Sequence, residues 1–226
     1  MFQKIVTSAL FAGFCAGLLA AALQLGFVRP LLLHAELYES GQLVHFGATP
    51  AEGMPPLPGL DPVRDGLSVL FSALVYVGYG LVLVAVMALA AERGARVDAR
   101  RGLAWGIAGF VAFQMAPGFS LAPEVPGAAY VDLVARQIWW WGTVAATAAG
   151  LALAAFGTGW IARAAAAALV LAPHVIGAPE PDAFAGPVPP ELAALFASRA
   201  LGVGLAAWAA LGLLAGHFWQ RETAAG

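Results

Sequence analysis

The sequence predicts an all-α fold, a polytopic helical bundle embedded in a membrane, with about six transmembrane helices. Three observations carry that expectation. Of 226 residues, 61% are hydrophobic and 11% charged, against roughly 25% charged in a soluble domain. The apolar residues come in runs long enough to cross a bilayer. Lysine and arginine gather on alternate connections between those runs.

The first run, 5–28, follows Lys4 and has the look of a secretory leader. Its length as a helix is about 36 Å, enough for a hydrocarbon core of about 30 Å. No small-x-small cleavage site follows cleanly before Arg29-Pro30, so it reads as a retained span. Further spans are expected at 66–91, 102–120, 133–156, 159–175 and 191–218, within a single membrane domain over 1–226. The fifth is the weakest, being short and rich in alanine. A five-span count stays open if that run re-enters or lies in the interface. Unpaired backbone amides are costly in lipid, so each span should be helical.

Charge orients the bundle. The connection ERGARVDARRG carries Arg93, Arg96, Arg100 and Arg101, which the positive-inside rule places in the cytoplasm. Alternation then puts Lys4, Arg163 and Arg221 inside too, with both termini cytoplasmic. The opposite connections hold Arg29, Arg64 and Arg136 and most of the acids. The long outer connection 29–65 begins with LLLHAELYESGQLVHF, which reads as an amphipathic helix at the outer surface. It continues as the proline-rich GATPAEGMPPLPGLDP, which is expected to be irregular. Similar breaks are expected at APGFSLAPEVPG and APHVIGAPEPDAFAGPVPP. The elaborated face is therefore the outer one.

Composition excludes several functions. A net charge of −2 gives no electrostatic case for nucleic acid. The single cysteine, Cys15, rules out an internal disulfide or a Cys-rich metal cluster, and reads as a buried small hydrophobe. The chain has no Walker motif, HExxH or GxSxG, and its spans are nearly empty of catalytic polar pairs, so no enzyme and no cofactor are expected. The glycine pairs Gly13/Gly17, Gly102/Gly106 and Gly212/Gly216 each share a helix face and suit close helix packing. Trp139, Trp140, Trp141, Trp160, Trp208 and Trp219 read as interfacial anchors.

What remains is imidazole and carboxylate on the outer face. His34, His45 and His174 lie there, with Glu36, Glu39, Glu124, Glu180 and Asp182 around them. This ligand type suits divalent first-row metals. His34, Tyr38, Gly41 and His45 share one helix face, and Glu36 and Glu39 another. A site therefore has to combine this segment with another loop, best the one holding His174. The alternative for each histidine is an interfacial or capping role. Inside the bilayer stand Gln24, Gln114, Thr143 and Thr147, as a transport path or as interhelical glue. Arg199 is the one charge well inside a span, and takes either a path or a structural role.

Several segments together resemble a known family. FAGFCAGLLAAALQLGFVRPLLLHAELYE, RRGLAWGIAGFVAFQMAPGFSLAPEVPG, RQIWWWGTVAATAAGLAL and APHVIGAPEP, closing on GHFWQR, are similar to CbtA, the probable cobalt transporter subunit. The resemblance implies a multi-pass protein of the bacterial inner membrane that supplies cobalt for cobalamin synthesis. It implies Co²⁺ as the transported ion and a small single-span partner, CbtB-like, with a histidine-rich tail. The matching positions are Gln24, His34, Glu36, Tyr38, Glu39, Glu124, Arg136, Gln137, Trp139, Trp140, Thr143, His174 and Pro179. The metal ligands expected are His34, Glu36, Glu39 and His174. Gln24, Gln114, Thr143, Thr147 and Arg199 form the expected path. Besides the lipid bilayer and the small subunit, a second copy of the chain is a candidate partner. The competing expectation is a non-transporting scaffold that binds a partner helix through its glycine faces.

Overall fold

Phe2 opens a helical run that continues to Glu39. In the computed structural model, which describes residues 1–45 and 56–224, that run has three parts. These are α1 (Phe2–Leu23), a π-helical segment (Gln24–Val28) and α2 (Arg29–Glu39). The segment expected to form a separate amphipathic helix is thus the continuation of the first helical run. Its helix stops at Glu39, where Ser40 caps it and Gly41 takes a φ of 75°, a conformation glycine adopts without strain. Helix was expected as far as Phe46, which falls outside the described residues, as does most of the proline-rich stretch (46–55).

The remaining elements are α3 (Pro62–Glu92), α4 (Ala99–Phe110), a second π-helical segment (Val111–Met115), α5 (Ala116–Ser120), α6 (Leu133–Phe156), α7 (Gly159–Ile176) and α8 (Pro190–Ala224). Capping explains two of the starts. Asp61 accepts from the amides of Val63 and Arg64 at 2.9 and 3.1 Å, with Pro62 opening the first turn of α3. Asp132 accepts from Ala135 N at 2.8 Å and starts α6. Among the described residues, six helical runs are long and apolar enough to cross a membrane, the alanine-rich fifth among them.

Two expected loop starts move. Pro117 and Pro173 lie inside helices, so the irregular segments begin after Ser120 and after Ile176. A proline lacks an amide hydrogen and crowds the preceding turn. At Pro30 and Pro117 the helix absorbs this with a wider π turn immediately upstream, a known way to accommodate an interrupted hydrogen-bond ladder.

The chain gathers into two compact units. The first holds 1–26, 59–110 and 202–226; the second holds 27–58 and 111–201. In the first, α1 and α3 are packed backbone to backbone. A methyl group added at Gly13 or Gly17 would lie 2.5 Å from the Cα of Val77 or Ala73. The pair α4 and the C-terminal part of α8 is closer still: Gly102 and Gly106 face Gly212 and Gly216 with no room for a side chain on either helix. Trp208 fills the space beside Gly109 and stacks on Tyr79 at 4.8 Å, fully buried. It is a core residue, not the interfacial anchor its type suggested. Cys15 is exposed, because it points away from the Gly13/Gly17 face.

In the second unit, α6 and α7 form a hairpin with Gly150 close to Ala166 and Val170. Helix α2, the segment 121–132, the segment 177–189 and the start of α8 meet over a small core of Leu31, Ala35, Val125 and Phe196. Gly127, with φ 77°, sits where a side chain would strike Pro187 and Glu39. The connections 121–132 and 177–189 therefore come together at one end of this unit.

Candidate metal-transport site

His34 lies on α2, one turn after Pro30. Helix α2 buries residues on opposite sides, Leu31 and Ala35 on one and Leu33 and Leu37 on the other. His34 itself is half-buried, with the Tyr38 ring 5.6 Å away. His34 Nε2 is buried and has no hydrogen-bond partner among the described residues. Glu36 is half-buried on the same helix, while Glu39 is exposed at its end beside Gly127. His45 is exposed, beyond the helix.

His174 is held differently. It follows Pro173 in the last turn of α7. The indole Nε1 of Trp139 donates to the Pro173 carbonyl at 3.2 Å, which ties this end of α7 to α6. Ser120 Oγ lies 2.8 Å from His174 Nδ1. The rings of Phe119 and Trp139 flank the imidazole at 5.4 and 6.2 Å. Nearby in sequence, the Arg136 guanidinium donates to Glu124 at 2.5 Å and braces 121–132 against the start of α6. Glu124 is thereby engaged in an ion pair.

The four expected ligands do not form a preformed cage. Among the described residues, no three His, Cys, Asp or Glu side chains gather closely enough to hold a metal ion. The α2 geometry gives part of the reason: His34 points inward, whereas Glu39 lies out at the helix end.

The residues expected along a path divide by their hydrogen bonds. Gln24, in the first unit, accepts from the Ser72 hydroxyl at 3.3 Å. Thr143 donates to the Trp139 carbonyl at 2.9 Å and is satisfied. Gln114 Oε1 and Thr147 Oγ1 are buried without a partner among the described residues. The π-helical segment carrying Gln114 packs against α6, with Phe113 and Trp140 rings 6.0 Å apart. Arg199 is exposed, and its guanidinium donates to the Phe27 carbonyl at 3.2 Å. This carbonyl belongs to the first π-helical segment. Arg199 also bounds an uncharged stretch, 200–219, about 30 Å long as a helix, so α8 need not hold the charge at mid-membrane.

Ser120 and the two π-helical segments were not anticipated. No spacing rule links position 120 to 174. The π segments did leave a signal: each intramembrane glutamine, Gln24 and Gln114, precedes a proline within one helical run.

Six membrane-length helices, all-helical described structure and sparse buried polar atoms define a multi-pass membrane protein. Residues 2–220 match the family described as probable cobalt transporter subunit (CbtA), and the chain belongs to that family. No curated protein and no solved structure matches it. A probable transporter subunit is not an enzyme class.

Proposed function

We propose that this chain is the multi-span subunit through which a divalent cation, Co²⁺ by family, enters the bacterial cell across the inner membrane. In this reading both termini are cytoplasmic and the end bearing the proline-rich segments faces outward. His34, Glu36, Glu39 and His174 capture the ion a few at a time, and a small single-span, histidine-rich subunit of the CbtB type delivers it.

One structural observation carries the site: an imidazole nitrogen at His34 that is buried and has no hydrogen-bond partner among the described residues. A buried polar atom without a hydrogen bond costs about 1–3 kcal/mol, more in lipid. An arriving cation or its water shell would offset that cost. Gln114 and Thr147 offer two further unpartnered oxygens for an ion crossing the bundle. Neutral oxygens and imidazole hold Co²⁺ less firmly than thiolates, and an ion in transit must leave each site.

The scaffold alternative loses its main feature. All three glycine pairs are taken up by contacts within the chain, so none is a free face for a partner helix.

The test is Co²⁺ uptake into proteoliposomes, with and without the small subunit, for wild type, His34→Ala and His174→Ala. Saturable uptake that falls sharply in both variants supports the reading. Absence of uptake by folded wild type with its partner sinks it.

A further inference from the structure

We propose that Ser120 is a positioning residue for His174, holding Nδ1 so that Nε2 presents its lone pair to the cation. The inference rests on the reading of His174 as a cation ligand. A neutral imidazole carries one proton on two nitrogens. Coordination through Nε2 leaves that proton on Nδ1, where it needs an acceptor; metal-binding histidines are oriented in this way by an outer partner. Ser120 Oγ stands 2.8 Å from Nδ1 and can accept the proton's hydrogen bond.

Its surroundings favour that role. The ring neighbours are Phe119 and Trp139, and neither offers a competing acceptor. The one polar group of Trp139, its indole N–H, is already donated to the Pro173 carbonyl. That bond and the fixed φ of Pro173 immobilise the backbone that carries His174. The hydroxyl then sets the ring rotation and the tautomer. Because the acceptor is neutral, it orients the ligand without the added basicity a carboxylate would lend. A weaker hold suits an ion that must move on.

The experiment measures the concentration dependence of Co²⁺ uptake by proteoliposomes holding the complete transporter. Ser120→Ala should raise KM for Co²⁺ about tenfold, the lower end of the usual effect of removing such a partner, with the maximal rate kept. Ser120→Thr, which retains the hydroxyl, should restore KM; the near-isosteric Ser120→Val should not. The Thr/Val pair separates the hydroxyl from packing should Ser120→Ala fold poorly. Equal KM for Thr and Val overturns the positioning role. If His174→Ala still raises KM in that case, the ligand reading of His174 survives. If His174→Ala leaves KM unchanged, both fall together.

Discussion

The two units of this protein solve the membrane problem in opposite ways. In the first, α1 against α3 and α4 against α8 meet through glycine, with backbone touching backbone. Lipid tails are as apolar as the helix surfaces, so only close van der Waals approach and hydrogen bonding favour association there. In the second unit, side chains bridge the elements: Trp139 to the Pro173 carbonyl, Ser120 to His174, Arg136 to Glu124, Arg199 to the Phe27 carbonyl. That unit also keeps His34 Nε2, Gln114 Oε1 and Thr147 Oγ1 buried and unpartnered. The first unit holds such an atom as well, Ser8 Oγ on α1, so the difference lies in how the helices are joined: by glycine contacts in the first and by side-chain hydrogen bonds in the second.

The contrast is broken most severely at the glycines. Gly212→Leu should abolish folding or cost about 3 kcal/mol or more by overpacking. Gly202→Leu, on the same helix but with open space at its Cβ, should stay within about 0.5 kcal/mol. Thermal unfolding in detergent reads both, and equal effects would remove the glycine crossing as the basis of the first unit. The same geometry means that Gly17→Ile acts through folding and cannot report on partner binding.

In the second unit, stability and transport should separate. Thr147→Val, which removes an unpartnered buried hydroxyl, should stabilise by about 1 kcal/mol while slowing Co²⁺ uptake. A Thr147→Val variant that is less stable would mean the hydroxyl has a partner after all. Arg199→Met deletes a charged donor to a backbone carbonyl, and should cost about 1 kcal/mol after allowance for its exposure. If Arg199 lined the path, uptake would fall far more than stability does. The smallest effect is expected at Arg136 and Glu124, both partly exposed. A double-mutant cycle should give about 0.5 kcal/mol, weakening with salt.

Much of the fold was legible in the sequence because bilayer thickness imposes a length on every apolar run. The fourth expected run, 133–156, coincides with helix α6, and the fifth, 159–175, ends one residue before α7 does. The second run was expected from 66, but Asp61 caps a helix that already starts at Pro62. Misreadings came where a residue type has two environments. Trp208 is as amphipathic as Trp160, yet one is buried in the glycine-lined crossing and the other is exposed. Leu31 to Glu39 looked amphipathic, but Leu31, Leu33, Ala35 and Leu37 are all buried, so burial is not confined to one face.

Of the site, the sequence determined the chemistry: the scarce imidazoles, the carboxylates near them and the glutamines and threonines within the spans. Their scarcity made them visible, since an apolar chain tolerates few polar residues without a use for them. The tertiary structure decided which of these atoms are already satisfied. It paired Thr143 with Trp139, set Ser120 beside His174 across 54 residues of sequence, and left His34 Nε2 buried. Hydrogen-bond satisfaction depends on distances of a few tenths of an ångström between elements remote in the chain, and no local pattern encodes that.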